Sequence, residues 1–198
     1  MKRLLKFLIF FSWLPLALKA EFILKSYQEI RNEKVIRQTY ELSCGASSLA
    51  TLINLIDNQK LSELDVLKVM SEKELTTDMV SFLDLEEAIK KLDFKSDSFR
   101  INEQVLNKLI NIPLLVKIED DPRFPHFVII INHKGDYLQV LDPSHGEYIS
   151  SKREFYSIWD KENKGGYALV VLPKQEFKRL DFNFPNKLNF EKRVFGRF

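Results

Sequence analysis

Cys44 is the single thiol in a chain of 198 residues. A cysteine attacks as its thiolate, and an unperturbed thiol with a pKa of about 8.5 is only a few per cent thiolate at neutral pH. The start of a helix shifts that balance, because the macrodipole and the unsatisfied first N–H groups favour negative charge there. The segment CGASSLATLINLI predicts such a helix from Cys44 to Ile56. Its apolar residues Leu49, Leu52, Ile53 and Ile56 fall at i, i+3, i+4 and i+7, and Ser43 stands where an N-cap belongs. Gly45 is expected to leave open space beside the sulfur. The same N–H groups offer one half of an oxyanion hole, and the side-chain N–H of Gln38, six residues upstream, is a candidate for the other half. From spacing alone Gln38 reads better as an ordinary surface residue. Cys44 itself has a bland alternative, a buried small hydrophobe, which is where most free cysteines sit.

A nucleophilic cysteine needs a histidine base, and the chain has three. HFVIIIN and DYLQVLD read as two strands joined by His133-Lys134-Gly135, a three-residue hairpin loop with Gly at the left-handed position. Pairing Asn132 with Asp136 then sets His126 opposite Asp142. Directly opposite residues share a face, with Cβ atoms about 4.5–5.5 Å apart, so a carboxylate can orient the imidazole. A one-residue slip would put them on opposite faces. His133 is six residues from His126, about 20 Å along a strand, too far to share that carboxylate. His145 lies near Asp142, but DPSHGE is a turn and its histidine reads as a solvated loop residue. The candidate site is therefore Cys44, His126 and Asp142.

The elements that must position these groups divide the chain by type. KVIRQTY, residues 34–40, predicts a short strand. Helices are predicted at 44–56, 61–73, 81–92 (capped by Ser81) and 101–110. After Pro113 the pattern changes to strands: LLVKI, HFVIIIN, DYLQVLD and GYALVVL. Helices followed by an antiparallel sheet indicate an α+β domain. No repeat or low-complexity linker divides residues 21–173. Residues 174–198 are a basic, Phe-rich tail without clear period, read as packed over the domain or partly disordered, with a docking role for a partner or membrane surface as the alternative.

The first twenty residues read as a signal peptide. Lys2, Arg3 and Lys6 precede the twelve uncharged residues from Phe7 to Leu18, and Ala20 suits cleavage. Twelve uncharged residues fall short of the roughly 20 that span a bilayer. An exported chain, periplasmic or secreted, is expected, and the membrane is a partner only if this segment is retained as an anchor. The whole chain carries a formal charge of +2. Without Lys2, Arg3, Lys6 and Lys19 it has 26 basic and 28 acidic residues, or −2. That balance leaves no electrostatic footprint for nucleic acid. Export also makes a lone cysteine unusual, since oxidising compartments favour paired ones.

RQTYELSCGASSLATLINL resembles the nucleophile segment of the bacteriocin-processing, double-glycine peptidases, a family of papain-like cysteine proteases. PHFVIIINHKGDYLQVLDPSHGEY is similar to that family's second signature, a His followed by apolar residues and a later Asp-Pro before a Gly. The likeness runs from about residue 35 to 173. It implies a papain-like fold, with Cys44 as nucleophile, His126 as general base and acid, Asp142 as its orienting partner and Gln38 as the oxyanion residue. No cofactor or metal is implied. Ala46-Ser47-Ser48 departs from the Pro or Ala-Ala that often follows Cys-Gly in the family. Members that process bacteriocins are usually fused to a transporter. This chain looks more like the stand-alone exported members that accompany secretion of functional amyloid or other proteins. The implied partners are a polypeptide substrate and components of a secretion system. Cleavage after small or Gly residues is an analogy. Two further readings stay open: a non-cleaving, chaperone-like binding module, and acyl transfer by the same residues.

Overall fold

The computed structural model describes residues 24–57, 59–71, 80–119 and 125–174. The signal peptide expected at residues 1–20 and the tail beyond Lys174 lie outside the described residues. The chain clusters into two compact units, Met1–Ile30 and Arg31–Phe198. In the first, Ser26 N–H donates to Glu29 Oε2 at 2.6 Å and Glu29 N–H to Ser26 Oγ at 3.2 Å. This reciprocal cap opens helix α1 (Tyr27–Asn32).

The second unit carries three helices, α2 (Cys44–Asp57), α3 (Glu63–Ser71) and α4 (Phe82–Lys91), then strand β1 (Lys95–Ile101) and the short helix α5 (Glu103–Leu106). Strands β2 (Pro113–Ile118), β3 (His126–Asn132), β4 (Tyr137–Asp142) and β5 (Gly146–Ser151) follow, then α6 (Lys152–Trp159) and β6 (Gly166–Leu172). The six strands form one antiparallel sheet in the order β1-β6-β2-β3-β4-β5. This is the expected α+β class.

Both faces of the sheet are covered, which is why HFVIIIN reads as an unbroken apolar run. Leu115, Phe127, Ile129 and Ile131 pack with α2, α3 and α4, while Val116, Val128 and Ile130 pack with Phe155 and Trp159 of α6. Helix α2 is more enclosed than its apolar stripe predicts: every residue from Gly45 to Ile53 is buried.

Several local expectations are corrected. Residues 34–40 form no strand, because their N–H groups go elsewhere. Ile36 N–H donates to Thr51 Oγ1 at 2.9 Å and Gln38 N–H to the Pro143 carbonyl at 3.1 Å. The helix expected at 101–110 contracts to Glu103–Leu106, since Ile101 pairs with Gly166 as the end of β1. Strand β1 itself went unpredicted because it is an exposed edge with little apolar alternation.

The β3–β4 hairpin also differs. Asn132 pairs with Leu138, not Asp136, so the loop is longer than three residues and the register moves by two. The Asn132 carbonyl accepts from Asn111 N–H at 2.8 Å, and the Asp136 carbonyl accepts from Lys152 N–H at 2.8 Å, so neither closes a tight turn. A shift of two preserves faces where a shift of one would not. His126 and Asp142 remain on one face, now as diagonal neighbours.

Ser48 ties the two halves together. One helical turn after Cys44, its hydroxyl donates to the Phe127 carbonyl at 2.9 Å, joining α2 to the residue beside His126. Ser47 is equally buried, but its hydroxyl finds no partner among the described residues. Neighbouring serines are thus expected to respond differently to truncation. Ser48→Ala orphans a buried carbonyl and should destabilise the fold by about 1–3 kcal/mol. Ser47→Ala removes a group that is desolvated without compensation, and should be neutral or stabilising. Urea unfolding of the two variants checks this, and equal losses would contradict it.

Candidate active site

Cys44 is the first residue of α2, half-buried at the helix start. Ser43 N–H closes a turn onto the Tyr40 carbonyl at 3.3 Å, and Ser43's carbonyl accepts the first helical bond, from Ser47 N–H at 3.0 Å. Ser43 therefore holds the N-cap position, but its hydroxyl does not cap as expected. It is directed backward, to the Tyr40 carbonyl at 2.7 Å and to the carboxylate of Glu63. Gly45 does not border open space either. A Cβ there would meet Val80 Cγ1 at 3.2 Å and Leu85 Cδ2 and Phe127 Cδ2 at 3.4 Å. Its bareness chiefly leaves room for Val80, the nearest of the three.

His126 Nε2 lies 2.9 Å from Asp142 Oδ1. That leaves Nδ1 as the ring nitrogen for the thiol, and His126 is hydrogen-bonded to Cys44. The Asp142 carboxylate is almost fully buried and held from several sides. Its Oδ1 also accepts Ser144 N–H at 2.7 Å and His145 N–H at 3.2 Å, and its Oδ2 is 3.2 Å from His145 Nδ1. His145 thus shares the carboxylate with His126, although its side chain is 72% exposed. Proximity in DPSHGE was the available signal for this. His133 keeps other company: its Nδ1 is 3.0 Å from Asn111 Oδ1.

Gln38 is drawn to the same place from the opposite end of the chain. Its N–H and side-chain oxygen both engage the turn after Asp142, the Oε1 accepting from Ser144 Oγ at 2.8 Å. Its Nε2 donates to the Tyr40 and Glu41 carbonyls at 3.2 and 3.3 Å. Gln38, Leu42, Cys44, Val80, His126 and Ser144 line one cleft of ≈ 210 Å³. Ser144 was invisible to sequence reasoning, because a serine in a turn carries no periodic signal.

The charges are mutually dependent. Burial works against the thiolate, raising Cys44, but bonds from His126 and from the Phe127 and Gly45 backbones overcome it and bring the thiol below its ordinary value. Burial likewise works against imidazolium, but hydrogen bonds to Asp142 and Cys44 and their charges raise His126 from 6.5 to about 9. For Asp142 burial raises the carboxyl, and the His126 bond and charge, with help from Ser144 and His145, hold it below 3.8. The arrangement can therefore hold a thiolate–imidazolium pair with a carboxylate behind it. The folded value of His126 lies above the unfolded one, so its stabilisation is complete below pH 6.5 and is lost as pH rises through about 9.

A helix that begins on a thiol, packed against the strand that begins on an imidazole, is how the papain-like class of cysteine peptidases builds a nucleophile. Residues 32–176 match the peptidase C39 family, and the chain belongs to it. It is 24% identical over 147 residues to the lactococcin-G-processing and transport ATP-binding protein LagD of Lactococcus lactis, a match covering 74% of this chain and 20% of that protein. It is 28% identical over 145 residues to the probable functional amyloid protease FapD of Pseudomonas aeruginosa, covering 70% of this chain and 63% of the relative. The chain thus spans a fifth of the one and just under two thirds of the other. Among solved structures, the peptidase domain of Streptococcus ComA superposes with a TM-score of 0.60 at 21% identity, covering 71% of this chain and 98% of that domain. A double glycine motif protease from an AMS/PCAT transporter, in complex with the leader peptide, superposes at 0.55 with 26% identity, covering 69% and 89%.

Thiolate absorbance in the ultraviolet reads the pair directly. In the native chain the inflection should lie below that of an unperturbed thiol. In His126→Ala burial loses its main opponent, and the inflection should move upward. Superimposable titrations would separate the thiol from the imidazole.

Proposed function

We propose that the chain is an exported cysteine endopeptidase that cleaves a secreted or periplasmic protein, or its leader, during secretion or maturation. The observation that carries this reading is the meeting of Cys44 and His126 at one cleft, with Asp142 bonded to His126, in a member of the peptidase C39 family. The likeness to FapD, and to a double-glycine protease crystallised with its leader peptide, supports a polypeptide substrate and a cut after small residues. The basic and apolar segment at residues 1–20 supports export.

In this reading Cys44 thiolate adds to a peptide carbonyl, forming a C–S bond and an oxyanion. The backbone N–H of Cys44 and the amide of Gln38 receive that charge. The Gln38 amide is held by two long bonds to neutral carbonyls, and an oxyanion is a stronger acceptor than either. His126, protonated, gives its proton to the departing amine as the C–N bond breaks, leaving a thioester. Water then attacks with His126 as base, releasing the acid and restoring the thiol pair. Asp142 keeps the ring oriented and favours its charged form throughout.

The test compares exported proteins from strains carrying the native chain, Cys44→Ala and His126→Ala, by mass spectrometry of protein termini. Both variants should lose the same set of new termini entirely, and those termini name the substrate and the cleavage site. Termini that persist in Cys44→Ala would exclude cleavage by this chain, and rescue of secretion by Cys44→Ala would point to a binding role.

A further inference from the structure

Glu63, the first residue of α3, is a nearly buried carboxylate, 5% exposed, that takes no part in the chemistry above. Its Oε1 accepts the Thr39 N–H at 2.9 Å and the Ser43 hydroxyl. Thr39 and Ser43 bracket the loop that separates Gln38 from Cys44, the two residues assigned to the oxyanion. Most of the loop's internal bonds are long: Tyr40 N–H to Ser43 Oγ and Ser43 N–H to the Tyr40 carbonyl are each 3.3 Å, and the Gln38 amide reaches Tyr40 and Glu41 at 3.2 and 3.3 Å. Such distances sit at or beyond the weak end of the ordinary range. The short one, Ser43 Oγ to the Tyr40 carbonyl at 2.7 Å, draws on the one hydroxyl proton that Glu63 also faces. The loop's own closure thus rests on long bonds and one shared hydroxyl proton, and one oxygen of a residue 20 positions beyond Ser43 takes up both of its ends. Burial alone would raise that carboxyl, but the bonds from Ser43, Thr39 and Tyr40 outweigh it and hold it below 4.5, so the acceptor is an anion and its hydrogen bonds are of the stronger, charge-assisted kind.

We infer that Glu63 is a positioning residue that braces residues 39–43, so that the Gln38 amide and the Cys44 N–H converge on one oxygen. The inference rests on the peptidase reading, because it assigns Glu63 a task only if an oxyanion forms. It also separates Glu63 from the Cys44–His126 pair, with which it shares no hydrogen bond.

Two reagents distinguish these tasks. Iodoacetamide alkylates a thiolate by displacing iodide and forms no oxyanion. p-Nitrophenyl acetate acylates it through a tetrahedral oxyanion, forming the C–S bond and expelling p-nitrophenolate. In Glu63→Ala, acylation should fall by about 10- to 100-fold, at or below the size of losing one oxyanion donor, while alkylation and its pH profile stay within about two-fold. The Thr39 and Ser43 bonds end on the same oxygen, so Glu63→Gln can keep these two and should recover most of the acylation rate. The brace is overturned if acylation and alkylation fall together, if neither falls, or if Glu63→Gln is as slow as Glu63→Ala. The peptidase reading fails separately, when His126→Ala is alkylated at the native rate.

Discussion

The contact between the first turn of α2 and the first residues of β3 is the constraint on which the site depends. A thiol and an imidazole 82 positions apart in the chain must meet within hydrogen-bonding reach, and no local sequence feature can enforce that. Gly45 packs against Val80, Leu85 and Phe127 with little room to spare, and Ser48 fastens the helix to the Phe127 carbonyl. Leu49, Leu52 and Ile53 bury the rest of the helix in the same core as Phe127, Ile129 and Ile131. Rigid packing over several turns fixes the first turn more firmly than any bond at the site could, because a close-packed interior leaves little room for sliding.

The turn after Asp142 is the second fixed point, and it serves two sides of the site at once. The Asp142 carboxylate folds the turn by accepting the Ser144 and His145 N–H groups, while orienting His126. The same turn reaches back to Gln38 through the Pro143 carbonyl and the Ser144 hydroxyl. One tight turn therefore sets the imidazole on one side and the oxyanion candidate on the other. Damage there should be felt in both.

What could be read from the sequence follows from which signals are local. The helix opening on Cys44 and the two strands carrying His126 and Asp142 have periods that a single chain displays. The pairing of those strands was read two residues wrong, because the Asn132 and Asp136 carbonyls are claimed by Asn111 and Lys152, which lie outside the hairpin. The juxtaposition nevertheless came out right, since the face of a strand repeats every two residues. Gln38, by contrast, could be singled out only through family resemblance, and Ser144, His145 and Glu63 contribute through bonds across 3 to 106 positions that leave no mark in periodicity. The short strand expected at 34–40 failed for the same reason, its N–H groups being spent on a helix side chain and a turn.

The electrostatics explain why the site has to be assembled as a whole. Desolvation is the largest single influence on Cys44, His126 and Asp142, and in each case it opposes the charged form. A buried thiol alone would stay protonated and inert, and a buried imidazole alone would stay neutral. Charge becomes favourable only when the partners are placed together, because each supplies the hydrogen bond and the opposite charge that the other lost with its water. Partial burial then becomes an advantage, since it strengthens the attraction between the groups that remain. A cysteine that looks like a structural hydrophobe in isolation, and an ordinary histidine at a strand end, acquire their shifted titration from packing that neither of them determines.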